Sequence, residues 1–148
     1  RKNLEKAAMM AAAKGIIMGF ETMETDFMNT TEKAMKYVNF IDSPYLGVYP
    51  DSGNLTNAAV SCCMNVLDDL ETGRDHIFAL HLKETVPGKF REIPFLTGHV
   101  DFEAIIAKAW ELGIRRYVTE MWDVGRAGWK DDIKFAFQSM SSILDRQQ

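Results

Sequence analysis

The sequence predicts an α/β fold built on parallel strands, and three observations carry that prediction. Short apolar segments recur along the chain, at residues 16–20, 45–50, 77–84 and 114–119. Segments with helical periodicity alternate with them, one strand to each unit, which is typical of a parallel sheet. Polar residues stand at the end of every apolar segment, where parallel α/β folds place their chemistry. The pattern indicates four βα units preceded by a helix.

The first part of the chain contains the leading helix and the first unit. Residues 2–14 are rich in Ala, Met, Lys and Glu, which are strong helix formers, and Gly15 stands where such a helix ends. After the first strand, apolar positions at helical spacing predict a helix from residue 29 or 30 to 40, with Thr30 as its cap. Pro44 then separates this helix from the second strand.

The later units follow the same plan with one long connection. A helix is predicted from about residue 56 to 72, and the strand at 77–84 follows it. The connection at 85–99 is longer than most loops between a strand and a helix. Asp101 is expected to cap a helix that ends near Leu112. A final helix is predicted over 131–144.

Four βα units amount to half of an eight-stranded (β/α) barrel of the TIM type, which takes about 250 residues. The chain has 148 residues, about one ordinary domain, and we treat residues 1–148 as a single region. Four parallel strands alone would leave two open edges. We therefore expect the other half to come from an earlier part of a longer chain or from a second copy. The start at Arg1, directly in helical sequence, favours an incomplete gene product.

Composition narrows the classes of partner. The net charge of −4 offers no basic surface for nucleic acid. No apolar run approaches the ~20 residues of a membrane span, and no signal peptide opens the chain. The two adjacent cysteines, Cys62 and Cys63, are expected to be reduced, as in a cytoplasmic protein.

One metal-competent side chain ends each predicted strand. These residues are separated by 30, 30 and 39 residues, about one βα unit each, and they are Glu21, Asp51, His81 and Glu120. If the strands are neighbours in one sheet, the four side chains converge. Three carboxylates and an imidazole suit Mn²⁺ or Zn²⁺, with Mg²⁺ or Co²⁺ as alternatives. Solvated strand ends, an Asx turn and a core histidine are the competing interpretations.

Four short motifs carry a resemblance to a known family. Residues 19–23 (GFETM), 49–55 (YPDSGNL), 79–84 (ALHLKE) and 97–102 (TGHVDF) resemble sugar-phosphate 3-epimerases. The chain is most similar to the L-ribulose-5-phosphate (L-xylulose-5-phosphate) 3-epimerases, a family of xylose-isomerase-like TIM barrels. The resemblance covers nearly the whole chain and matches the carboxyl-terminal half of the barrel, strands five to eight.

The resemblance implies a mechanism as well as a fold. Matching family positions bind one divalent metal ion through Glu21, Asp51, His81 and Glu120. The two glutamates face opposite sides of the sugar and exchange the C3 proton of a ketopentose 5-phosphate. The metal ion stabilises the enediolate, as removal of a proton beside a carbonyl requires. The family acts in bacterial L-ascorbate and pentose catabolism, and we expect a homo-oligomer.

The resemblance also bears on substrate recognition. Relatives that act on free ketohexoses carry a His at the position of Asn54, whereas Asn is typical of the phosphate-specific branch. They also carry an Arg where this chain has Pro87. Lys83, Lys89 and Arg91 are therefore our candidates for binding the phosphate.

The sequence leaves other functions open. An aldose–ketose isomerase of the hexulose-6-phosphate type would use a similar metal. A nuclease of the same barrel type would need three metal ions and more histidines than the three present. An inactive half-barrel or a pairing module is the alternative that involves no catalysis.

Overall fold

The structure, a computed structural model, describes residues 1–125 and 127–148. Within these residues the chain forms six helices and four strands. In order they are α1 (Lys2–Ala13), β1 (Met18–Glu21), α2 (Thr31–Ile41), β2 (Leu46–Tyr49), α3 (Ser52–Cys62), α4 (Val66–Glu71), β3 (Leu80–Leu82), α5 (Phe102–Glu111), β4 (Tyr117–Thr119) and α6 (Trp129–Asp145).

The strands lie side by side in the order β1-β2-β3-β4, and all neighbours are parallel. β1 pairs with β2, with Met18 opposite Leu46, and β3 pairs with β4. β2 and β3 are joined only by isolated parallel bridges in the described residues, and one of these bridges joins Val48 to Ile77. A hydrogen bond from the His81 N–H to the Pro50 carbonyl, at 2.8 Å, links the same two strands nearer the carboxyl end. The predicted parallel half-barrel is therefore confirmed.

The core lies between the strands and the helices, in two clusters. Because strand side chains alternate between faces, every second residue points at the helical layer. Leu46 and Val48 of β2 pack with Val38 of α2 in the smaller cluster. Leu80 and Leu82 of β3 belong to the larger cluster, which the helices α5 and α6 complete.

One predicted helix is wrong in its bounds and in its continuity. In place of a helix over 56–72, the chain forms α3 from Ser52 and a separate α4. The Asp51 side chain accepts a hydrogen bond from the Asn54 N–H, so α3 begins four residues earlier than predicted. Cys63 adopts a left-handed conformation with φ of 52°, which ends α3, and Asn65 then caps α4.

Several predicted boundaries agree with the structure. Thr30 caps α2 by accepting from the Lys33 N–H, and Asp101 caps α5 by accepting from the Ala104 N–H. Gly15 follows α1 with a positive φ of 65°. The third strand is shorter than predicted, because only residues 80–82 pair regularly with β4.

Two further observations concern the surface of the described part of the chain. Cys62 and Cys63 are exposed free thiols. Among the helices of residues 1–125 and 127–148, none combines the length and the apolar character that crossing a bilayer would require.

Candidate metal centre

The carboxyl ends of the strands bring four polar side chains together. Glu21 ends β1, Asp51 follows β2, His81 lies in β3 and Glu120 follows β4. One ligand-competent atom from each lies within 4.8 Å of all the others. Because parallel strands end at one edge of a sheet, residues one βα unit apart in sequence become neighbours. The structure thus assembles the four residues that the sequence predicted.

His81 stands between the two glutamates. Its Nδ1 atom lies 2.9 Å from Glu21 Oε1 and 3.1 Å from Glu120 Oε2. Its ring packs against Tyr49 of β2, with 4.2 Å between the ring centroids. These contacts fix the imidazole so that a carboxylate approaches it from the first strand and another from the fourth.

Asp51 is the most deeply buried member. Its Oδ1 accepts from the Asn54 N–H at 2.7 Å, and its own N–H donates to Thr22 Oγ1 at 2.8 Å. Its Oδ2 is buried and makes no hydrogen bond of good geometry with any described group. Burial raises the pKa of the Asp51 carboxyl to about 7, against the lowering effect of the Lys83 ammonium. Among the described residues, the one cation beside this oxygen is the Lys83 ammonium, 3.3 Å away, and a buried carboxylate oxygen with only this partner fits the binding of a further cation.

Lys83 lies inside the candidate metal centre, whereas a phosphate contact is expected in front of it. Its side chain is only 4% exposed, and Nζ lies 3.3 Å from Asp51 Oδ2 and 3.7 Å from Glu120 Oε1. Side chains two residues apart in a strand share a face, so the position of Lys83 relative to His81 was a signal for this placement. The sequence predicts a phosphate contact at Lys83, whereas the structure places its ammonium among the carboxylates.

Asn54 also faces inward. Its Nδ2 donates to the Thr22 carbonyl at 2.8 Å, and its Oδ1 accepts from Lys83 Nζ at 2.9 Å. Asn54 is predicted to contact the substrate, but both the oxygen and the nitrogen of its amide already form hydrogen bonds within the protein. In this arrangement Asn54 holds Lys83 against the carboxylates.

The other two phosphate candidates lie in the exposed loop after β3. Lys89 is exposed. The Arg91 Nε donates to Glu24 Oε1 at 2.7 Å, and the guanidinium lies 4.3 Å from the ring centroid of Trp122. Glu24 follows Glu21 in the chain and Trp122 follows Glu120, so Arg91 connects three loops at the mouth of the centre. Nothing local in the sequence marks Glu24 as a site residue, because its partner Arg91 stands 67 residues away.

A buried carboxylate anchors the same loop. Glu84 accepts hydrogen bonds from the backbone N–H groups of Thr85, Leu96 and Val100, at 3.0, 3.0 and 3.2 Å. His99 adds a side-chain contact, with Nε2 3.0 Å from Thr85 Oγ1. These bonds draw both ends of the loop to the end of β3, beside the centre.

The donor set fits a divalent ion of intermediate hardness. Three carboxylates and one imidazole, with hard oxygen atoms in the majority, suit Mn²⁺ or Zn²⁺. The two glutamates, one from each outer strand, could also act as acid and base toward a bound ligand.

Comparison with known proteins agrees with the fold. A family profile described as the xylose isomerase-like TIM barrel matches residues 1–139. The chain therefore belongs to the xylose isomerase-like TIM barrel family.

Curated relatives are longer than this chain. An L-ribulose-5-phosphate 3-epimerase UlaE of Salmonella paratyphi C is 35% identical over 123 residues, which are 82% of this chain and 42% of that protein. The enzyme of the same name from Escherichia coli strain SE11 is 34% identical over the same shares. The chain thus spans less than half the length of these relatives.

Solved structures show the same relation in three dimensions. A D-tagatose 3-epimerase-like protein matches with a TM-score of 0.80 and 20% identity, over 99% of this chain and 53% of its own. An L-ribulose 3-epimerase matches with a TM-score of 0.76 and 17% identity, over 97% and 52%. At these identities the likeness shows the fold, here half of a barrel.

Proposed function

We propose that the protein to which this chain belongs is a metal-dependent epimerase that inverts C3 of a ketopentose 5-phosphate. L-Ribulose 5-phosphate and L-xylulose 5-phosphate are the expected pair, in L-ascorbate and pentose catabolism in the cytoplasm. The convergence of Glu21, Asp51, His81 and Glu120 within 4.8 Å carries this proposal. The names of the curated relatives support the substrate class.

The four converging side chains would hold one divalent ion, with Mn²⁺ or Zn²⁺ preferred and Mg²⁺ or Co²⁺ as alternatives. Among the described residues, the centre brings three carboxylates together with a single ammonium, that of Lys83, and this excess of negative charge favours a cation here over a purely structural cluster. When bound, the ion would act as a Lewis acid toward the negative charge that develops on the substrate oxygens.

Glu21 and Glu120 are the proposed acid and base. They stand at the carboxyl ends of the first and fourth strands, and both contact His81 Nδ1, at 2.9 and 3.1 Å. Because they come from the two outer strands, we expect them to approach a bound sugar from different sides. One carboxylate would remove the C3 proton, and the carboxylic acid on the other face would return a proton there. Proton transfer by a positioned group contributes about 10²–10⁴-fold to a rate.

Phosphate binding is proposed for the loop after β3. Lys89 and Arg91 are exposed in this loop, whereas Lys83 and Asn54 face the carboxylates. A guanidinium can hold a phosphate through two parallel hydrogen bonds, and an ammonium acts as a point charge. Groups from the other half of the barrel would complete the site.

The active form is proposed to contain a complementary half-barrel. The relatives are about twice as long as this chain, which favours an additional segment over a second copy. A homo-oligomer of whole barrels is our expectation for the assembly.

Deuterium exchange tests the proposed mechanism in the protein at its natural length. The protein is incubated with L-ribulose 5-phosphate in D₂O, and the C3 proton is followed by NMR. Epimerisation with deuterium at C3 and without aldose formation is expected; an aldose product would identify an isomerase instead.

Two variants then separate the roles of the glutamates. Glu21→Gln and Glu120→Gln keep the side-chain shape and remove the base, and each is assayed from both epimers after bound metal is confirmed. Each variant is expected to exchange the C3 proton of only one of the two epimers. The epimer that Glu21→Gln still exchanges should be the one that Glu120→Gln does not. Full epimerisation by both metal-loaded variants would refute the two-base mechanism.

A further inference from the structure

We propose that Lys83 is a built-in cation that occupies a second cation position beside the four-residue metal set and limits the centre to one divalent ion. The proposal rests on the proposed function only in requiring that Glu21, Asp51, His81 and Glu120 bind a metal.

The surroundings of the ammonium resemble those of a bound cation. Three oxygen atoms from three residues lie around Lys83 Nζ: Asn54 Oδ1 at 2.9 Å, Asp51 Oδ2 at 3.3 Å and Glu120 Oε1 at 3.7 Å. Carboxylate and amide oxygens are ligands that hard divalent ions such as Mg²⁺ and Mn²⁺ accept in proteins. Removing the ammonium would leave these oxygens facing an uncompensated space.

The surrounding chain holds the lysine in place. The Lys83 N–H donates to Ser52 Oγ at 2.9 Å, and Ser52 Oγ lies 3.1 Å from the Lys83 carbonyl. Asn54 is itself tied to the Thr22 carbonyl at 2.8 Å. Rotating the ammonium out to solvent would leave the buried Asp51 carboxylate without its cation, which proteins rarely tolerate.

Charge balance points to a single ion. The ionised carboxylates of Glu21, Asp51 and Glu120 together with the Lys83 ammonium carry a net charge of −2. One divalent ion neutralises this set. A second divalent ion would have to share Asp51 Oδ2 and Glu120 Oε1 with the ammonium, at distances where like charges repel strongly in a buried site.

Counting bound metal in variants tests the proposal. The protein at its natural length is dialysed to equilibrium against Mn²⁺, and bound ions per chain are measured by elemental analysis. We expect one ion in the wild type and two in Lys83→Ser, which removes the charge and makes room. Lys83→Met removes the charge but retains the volume, and one ion is expected.

Lys36→Ser is the matched control. Lys36 forms an exposed pair with Glu32 at 3.0 Å on α2, so the same substitution there should leave the count at one. A single ion in folded Lys83→Ser, or two ions in Lys83→Met, would overturn the proposal.

If Lys83→Ser does not fold, a measurement on the wild type tests whether the centre is limited to one ion. With saturating Mn²⁺ the electron paramagnetic resonance spectrum should show one isolated ion in each chain. A spin-coupled pair of ions in the wild type would contradict the inference and leave the epimerase proposal standing. Absence of bound metal in the wild type would contradict the epimerase proposal itself.

Discussion

Asp51 joins two tasks in one carboxylate. Its Oδ1 caps α3 through the Asn54 N–H, and its Oδ2 is buried toward the candidate metal centre. The capping bond fixes the carboxylate plane, so the second oxygen is oriented before any ion arrives. A helix N-terminus directly behind the carboxylate favours its ionised form, which partly opposes the effect of burial.

Proton competition at Asp51 predicts a pH-dependent metal affinity. Burial raises the pKa of this carboxyl from 3.8 to about 7, so below that pH an incoming ion must displace a proton. We expect the Kd for Mn²⁺ to rise by up to about tenfold per pH unit below pH 7 and to be level above it. Titration calorimetry in buffers of different ionisation enthalpy measures both the Kd and the protons released.

The same shift has a defined sign for stability without metal. Because the folded pKa lies above the unfolded one, the contribution of Asp51 to the free energy of unfolding falls as pH rises from 3.8 to about 7.

A Kd for Mn²⁺ that stays level from pH 7 down to about pH 5.5 would contradict the assignment of the Asp51 carboxyl as a metal ligand.

At the scale of elements, one helix completes another. The α2 N-terminus receives a cap from Asp69 of α4, whose Oδ2 accepts from the Thr31 N–H at 2.7 Å and whose Oδ1 accepts from the Glu32 N–H at 3.1 Å. These are backbone donors that a helix cannot satisfy internally. Thr30 satisfies a third, the Lys33 N–H. The contact ties the first and second βα units together.

Replacing Asp69 should therefore destabilise the fold. Asp69→Ala leaves two backbone N–H groups of α2 without their acceptor, and a loss of about 1–3 kcal/mol in the free energy of unfolding is expected. The neighbouring exposed Asp68 is the matched control, and Asp68→Ala should change stability by less than about 0.5 kcal/mol. Denaturant unfolding measures both, and equal losses would show that Asp69 does not act as the cap.

The loop after β3 is another element whose position depends on one residue. Glu84 binds the N–H groups of Leu96 and Val100 from the end of β3. Gly98 is packed so closely against Glu84 Oε1 and the Thr85 carbonyl that a side chain there would clash with both. These contacts thus fix the ends of the loop that carries Lys89 and Arg91.

Removing this anchor should loosen the loop without unfolding the chain. In Glu84→Ala, amide hydrogen exchange at Leu96 and Val100 is expected to accelerate by about tenfold or more, because each loses a charge-assisted bond of roughly 1.5–3 kcal/mol. Glu92, exposed in the same loop, supplies the control variant Glu92→Ala. Unchanged exchange in Glu84→Ala would mean that other contacts hold the loop.

At the scale of the whole molecule, the described chain leaves apolar surface for another half-barrel. In the part of the chain that the structure describes, β1 and β4 each pair on one side only. The helix α6 exposes Ile133 and Phe137, one turn apart, at 49% and 65% of their surface. Open parallel edges and exposed aromatic side chains are features of an incomplete barrel.

We predict that Phe137 is covered in the protein at its natural length. Phe137→Asp should then lower the free energy of unfolding by about 1.5–3 kcal/mol, the value of a buried aromatic side chain. Lys134→Asp, at another exposed position of α6, should stay within about 0.5 kcal/mol of the wild type. Thermal and denaturant unfolding provide the comparison, and similar small effects of both variants would place Phe137 at a free surface.

The sequence by itself determined the parallel half-barrel and the four converging residues. Apolar segments, helix caps and one polar residue per strand end are local signals, and the carboxyl ends of parallel strands must meet at one edge. Tertiary structure alone decided that Lys83 and Asn54 turn inward, that Glu24 pairs with Arg91 and that α4 caps α2. Those contacts join residues 29 to 67 positions apart in the sequence. They form because a charged or polar group that becomes buried in the folded chain needs a partner, and only the fold determines which group lies close enough.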